Sequence, residues 1–174
     1  MMKRKFKSLA TLGICCTLVL TGCTTDGGSP ANAPLGDSSN TQTNNGGNMP
    51  TVTGDKGSAP QITAPGGNPP TNLVTEDVYV GEGAEASANS TLTVHYTLMA
   101  WSTGKVVESS WSGEPATFGL NQVILGWQQG IPGMKVGGRR LLVIPPDIGY
   151  GEAGGGPIGP NETLIFVVDL IGVS

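Results

Sequence analysis

Residues 91–100 alternate, with Leu92, Val94, Tyr96 and Leu98 at one set of positions and Thr91, Thr93, His95 and Thr97 at the other. Successive side chains of a strand point to opposite faces, so this period of two predicts a half-buried β-strand. Ser102-Thr103-Gly104 reads as a turn into a second strand over 105–110. Residues 139–144 form a compact β run stopped by Pro145-Pro146, and 163–171 a longer one with Leu164, Phe166, Val168 and Leu170 on one face. Residues 78–80 supply a further short strand. Between these β-type segments the pattern changes at 122–130, where Val123, Ile124, Leu125 and Trp127 enter a stretch of about two helical turns over 125–131. Gly130 and Pro132-Gly133 stop it, because glycine tolerates left-handed geometry and proline cannot continue the ladder. A helix shorter than about 12 residues is marginal in water, so this one must lie on the strands, with Trp127 buried as plain core or as the floor of a pocket.

Several strands, one short helix and no alternating strand-helix order predict an α+β fold, an antiparallel sheet curled over the helix. Packing alone leaves two loops unexplained, 109–116 and the glycine-rich 149–160.

The first 22 residues read as a targeting segment: Lys3, Arg4, Lys5 and Lys7 precede an apolar run over 9–20. About a dozen apolar residues match a signal-peptide core, and a membrane-spanning helix needs about 20. The run ends at Leu20-Thr21-Gly22-Cys23, which resembles the bacterial lipobox. The resemblance implies cleavage before Cys23 and a diacylglyceryl group on its thiol, whose two chains anchor stably where one would be marginal. Cys15 and Cys16 leave with the leader, so the mature chain would keep only Cys23, with no intrachain disulfide and no thiol set for zinc. Residues 24–71 are dominated by Gly, Pro, Ser, Thr and Asn with single apolar residues and no period. Such a segment buries too little apolar surface to offset the entropy of ordering, so 23–72 is expected to be the lipidated cysteine and a disordered linker. The folded domain is then 73–174.

The leader holds four of the nine Lys and Arg residues and none of the 13 acids, so processing moves the formal charge from −4 to −8. That balance argues against nucleic acid and against electrostatic adhesion to anionic lipid. Gly154-Gly155-Gly156 lacks the lysine-serine ending and following helix of a phosphate loop. His95 is the only histidine, mid-strand on the polar face with no nucleophile placed beside it, and reads as structural. Glu108 and Asp147 could form an acid-base pair, but solvated or hydrogen-bonded loop acids are the simpler reading.

Six blocks carry a resemblance: Val94-His95-Tyr96-Thr97, Gly104-Lys105-Val106-Val107-Glu108-Ser109-Ser110, Val123-Ile124-Leu125-Gly126-Trp127, Gly133-Met134-Lys135-Val136-Gly137-Gly138-Arg139-Arg140, Ile144-Pro145-Pro146-Asp147-Ile148-Gly149-Tyr150-Gly151 and Thr163-Leu164-Ile165-Phe166. In this order they resemble the signatures of FKBP-type peptidyl-prolyl cis-trans isomerases. The resemblance implies a half-barrel of antiparallel strands around one short helix, no cofactor and no metal. It implies a proline pocket with Tyr96, Glu108, Ile124, Trp127, Tyr150 and Phe166 as catalytic residues and Val107, Phe118, Val123 and Ile158 binding substrate. Trp127 would be the floor, the Ile124 N–H and the Tyr150 hydroxyl would donate to substrate carbonyls, and Glu108 stands where the family most often has aspartate. The implied partners are proline-containing peptides and unfolded exported proteins, acted on from the extracytoplasmic face of the cell membrane. A non-catalytic chaperone or binding module on the same fold is the alternative.

The chain also departs from the family. Val107 and Ala116 stand where many relatives carry phenylalanine, Leu98 replaces a usual glycine, and no bulky residue follows Tyr150 near the loop tip. A shallower pocket with weakened binding of macrolides such as rapamycin is expected.

Overall fold

The computed structural model describes residues 48–174. The leader, Cys23 and the first part of the expected linker lie outside the described residues. Strands β1 (Val52–Thr53) and β2 (Gln61–Ile62) pair with each other. They precede a six-stranded antiparallel sheet of β3 (Val74–Tyr79), β4 (Thr91–Ala100), β5 (Lys105–Ser109), β6 (Ala116–Gly119), β7 (Arg139–Ile144) and β8 (Leu164–Val173). The order is β3-β7-β8-β4-β5, with β6 also pairing β4. β5 takes the part of β4 from Thr97 to Ala100 and β6 the part from Thr91 to Val94, so two strands share one edge in succession. The helix α1 (Leu125–Gly130) lies on the inner face.

The alternation of β4 and β8 sorts side chains as expected on that inner face. Leu92, Val94, Leu98, Phe166, Val168 and Leu170 join Trp127 and Ile131 in one buried cluster. Two glycines let the helix approach β7: a methyl group on Gly126 would stand 2.4 Å from Ile144 Cγ2, and one on Gly130 2.5 Å from Leu142 Cδ2. Arg140 on β7 ties down the helix end, its Nη1 donating to the Gly130 carbonyl at 2.8 Å while its Nε donates to Asp77. Carbonyls at a helix C-terminus have no intrahelical partner, so this cation satisfies one of them.

The outer face differs from the sequence expectation. Met99, Trp101, Leu141, Val143, Ile165 and Val167 form a second buried cluster, and Met49, Val52, Ile62, Val74 and Val78 pack against it. A half-buried strand was expected for β4; its second half is buried on both faces, as is β8 from Leu164 to Leu170. Residues 48–72, expected as disordered linker, instead lie as a strap over this face. Their few apolar side chains suffice because they meet an apolar surface that already exists; the sheet supplies most of the buried area, and composition of the strap alone does not reveal it. Two smaller differences follow: β3 begins four residues before the expected 78, and an unexpected strand, β6, starts at the last residue of the 109–116 loop.

Candidate active site

Strand register builds one wall of a cavity. Leu98 is the cross-strand partner of both Phe166 on β8 and Glu108 on β5, so these three side chains share a face with Tyr96, two residues earlier on β4. β6 adds Phe118 opposite Leu92. α1 supplies Trp127, and the three surrounding rings meet its indole edge-on: Tyr96 at 5.9 Å, Phe118 at 6.0 Å and Phe166 at 5.3 Å between centroids. Interplanar angles of 84–87° are the edge-to-face arrangement that aromatic quadrupoles favour. The result is an open cavity of about 460 Å³ lined by Tyr96, Leu98, Glu108, Phe118, Gln122, Val123, Ile124, Trp127, Tyr150 and Phe166.

Polar groups enter it at particular places. The Tyr96 hydroxyl donates to Glu108 Oε1 at 2.5 Å. Burial, then the adjacent Glu108 carboxylate, push the Tyr96 phenol well above its ordinary value, so it keeps its proton as a donor. Ile124 is the helix N-cap, and its N–H has no acceptor among the described residues, as is usual for the first amides of a helix. Gln128 Nε2 donates to the Val123 carbonyl at 2.7 Å and so fixes the approach to that amide. The Trp127 indole N–H is buried with no acceptor among the described residues.

The glycine-rich stretch has a steric role. Gly155 and Ile158 exchange hydrogen bonds of 3.0 and 2.9 Å across a tight turn, and Ile158 enters the core. Gly154 has φ +68°, and a Cβ there would meet the Ile158 carbonyl at 2.4 Å. Gly155 lies under the Tyr150 ring, with which an added Cβ would be at 3.0 Å, so the turn sets where that half-exposed tyrosine stands.

Of the ten pocket residues named from the sequence, eight line the cavity. Val107 and Ile158 do not: Val107 packs against the inner cluster and Ile158 is buried in it. Two lining residues were missed. Leu98 was signalled by its place on the Tyr96 face of β4; Gln122, in a 3-10 turn at Leu120–Gln122, carried no periodic signal. His95 stands elsewhere, stacked on Trp111 at 4.2 Å and sharing a hydrogen bond with Ser110. Glu108 is engaged by Tyr96, and Asp147 is exposed in the turn Pro146–Ile148.

A sequence profile for the FKBP-type peptidyl-prolyl cis-trans isomerases matches residues 82–171. The chain belongs to this family. The match begins after β3, so the strap lies outside the family profile of this isomerase. It is similar to an FK506-binding protein of Streptomyces anulatus, 53% identical over 114 residues, covering 63% of this chain and 92% of the relative. It is also similar to the FKBP-type peptidyl-prolyl cis-trans isomerase FkpA of Escherichia coli (strain K12), at 42% identity over 106 residues, but spans only 38% of that protein. Among solved structures, the crystal structure of FkpA from Escherichia coli aligns with TM-score 0.57 and 41% identity, covering 60% of this chain and 49% of that one. AtFKBP13 aligns with TM-score 0.55 and 37% identity, covering 61% and 96%. The antiparallel sheet curled around one short helix is thus the fold of these relatives.

Proposed function

We propose that the cavity takes the prolyl ring of an X-Pro segment over Trp127 and speeds rotation of the preceding peptide bond in exported proteins. The supporting observation is the meeting of Tyr96, Phe118 and Phe166 edge-on to a buried indole at the cavity. Rotation about a peptide bond has a barrier of about 18–20 kcal/mol, and an X-Pro bond takes tens to hundreds of seconds unaided. Reaching milliseconds requires removing roughly 5–7 kcal/mol, at 1.36 per tenfold. Twisting breaks amide resonance and withdraws charge from the carbonyl oxygen, so water stabilises the planar state more than the twisted one. The aromatic floor and walls remove that preference, and the Ile124 N–H and the Tyr150 hydroxyl donate to substrate carbonyls other than that of the rotating bond, holding the segment in the twisted geometry. Glu108 orients Tyr96 beside the rotating bond. No nucleophile enters the reaction.

The test is a proline-peptide isomerisation assay on the full chain, with a macrolide as competitor. The expected result is a rate well above the spontaneous one, inhibited by the macrolide more weakly than in relatives with phenylalanine at the positions of Val107 and Ala116. A folded sample with only the spontaneous rate overturns the proposal and leaves a binding module. The sequence at Leu20-Thr21-Gly22-Cys23 supports export and a lipid anchor on Cys23; incorporation of a labelled fatty acid that persists in Cys23→Ser would overturn that part.

A further inference from the structure

The strap is held by main-chain recognition. Among the described residues, four hydrogen bonds join it to the sheet, and in each a sheet side chain donates to a strap carbonyl. The Tyr79 hydroxyl donates to Gly54 O at 2.6 Å, Arg139 Nη1 to Gly54 O at 3.3 Å, Arg139 Nη2 to Ser58 O at 2.6 Å, and Trp101 Nε1 to Gly67 O at 3.1 Å. No strap side chain takes part in them. Carbonyls are common to every polypeptide, so these donors read the backbone; the accepting carbonyls lie in turns, with φ +115° at Gly54 and +70° at Gly67, geometry that favours glycine. Sequence enters through those glycines, through Lys56, whose ammonium lies 5.5 Å over the Tyr79 ring, and through Met49, Val52 and Ile62, which rest on Met99, Trp101, Leu141, Val143, Ile165 and Val167.

One of the donors, Arg139, is held in place independently of the strap. Arg139, Asp169 and His95 stand in one row across β7, β8 and β4. Arg139 Nε donates to both Asp169 oxygens at 2.9 Å, and its guanidinium lies over Tyr79 and Trp111. The strap itself is lightly attached. Its two strands have two residues each, and Val52 and Ile62 stay half-buried. Segments with few buried apolar contacts open at free energies far below global unfolding. Its composition, with Pro50, Pro60, Pro65, Pro69 and Pro70, is that of an unfolded chain rather than of a core element.

We propose that the outer face of the sheet is a second peptide-binding surface, closed in cis by residues 48–67, which takes a turn-forming, glycine- and proline-containing segment of an unfolded polypeptide bearing small branched aliphatic residues. The segment replaces the strap: its carbonyls accept from Tyr79, Arg139 and Trp101, and its aliphatic side chains occupy the places of Val52 and Ile62. This face is opposite the proline cavity, so one client chain can be held on one side while its X-Pro bond turns on the other.

The experiment opens the strap without touching the sheet. Val52→Asp with Ile62→Asp, in the full chain, puts carboxylates against the apolar face. Binding of a labelled synthetic peptide of sequence 48–67 is then followed by fluorescence anisotropy. The opened variant should bind it at least tenfold more tightly than the wild type, whose surface is filled. A peptide carrying the same two aspartates should bind at least tenfold more weakly than the native peptide. Proline-peptide isomerisation, read in parallel, should be unchanged, which separates this proposal from that for the cavity. No peptide binding to an opened variant that retains its circular dichroism overturns the proposal. Should the variant not fold, hydrogen exchange in the wild type decides: the Thr63 and Gly66 amides, bonded within the strap at 3.0 Å each, should exchange at least a hundredfold faster than amides of β4 and β8. Exchange at the same rate means that the strap leaves only on global unfolding and overturns it. A wild-type dimer that excess peptide does not dissociate assigns the surface to a second copy's strap and overturns it equally.

Discussion

The two faces of one sheet are both apolar, yet they are closed by different means. The inner face meets a helix brought close by Gly126 and Gly130, and the aromatic rings it gathers leave an open cavity. The outer face meets a strap fastened through its carbonyls to Tyr79, Trp101 and a buried arginine. Side-chain shape decides what fits the first face; backbone geometry decides what fits the second. The difference teaches that chemistry and fastening can be separated across a single strand: Leu98 lines the cavity while its neighbours Thr97 and Met99 belong to the other side.

Substitutions that act on one face only would sharpen this contrast. The largest effect is expected from Arg139→Met. Arg139 is fully buried, and burial already pushes the Asp169 carboxyl above its usual range despite the guanidinium beside it. Removing one partner of a buried pair costs about 3–5 kcal/mol, to be read as a lower denaturation midpoint. Isomerase activity per folded molecule should not change; a parallel loss would show that the faces are coupled.

Gly126→Ala should act on the other face. The added methyl has nowhere to go against Ile144, and overpacking of this kind costs about 1–3 kcal/mol. The displaced helix carries Ile124 and Trp127, so kcat/KM should fall as well. Full activity with lower stability would mean that helix placement does not matter to the cavity.

The smallest effect concerns Tyr96. Tyr96→Phe removes the bond to Glu108, and a net hydrogen bond of about 0.5–1.5 kcal/mol translates to roughly 2–12-fold in kcat/KM. The same variant has a pH signature. The folded phenol keeps its proton where the unfolded one, at an ordinary 10.0, gives it up. The folded state therefore binds more protons, its advantage is complete below pH 10.0, and it is lost as pH rises beyond that value. Wild-type stability should decline more steeply than that of the phenylalanine variant across this range; parallel curves would contradict the assignment.

Much of the inner face was legible in sequence because a single rule governs it. A period of two in β4 and β8 fixes which side chains share a face, and the short apolar helix had to cover that face. Eight of the pocket residues named by resemblance do meet there, although Val107 and Ile158 are drawn into the surrounding core and Gln122 joins from a turn without pattern. The strap was not legible. Its segment has the composition of a disordered chain, and nothing local to residues 48–72 records that an apolar sheet face stands ready for it. The sequence by itself determined β4, β5, β7, β8, the helix and the sorting of their side chains, because those follow from local periodicity. Only the tertiary structure decided that the sheet is covered twice and that Arg139 is buried, because both depend on surfaces brought together from distant parts of the chain.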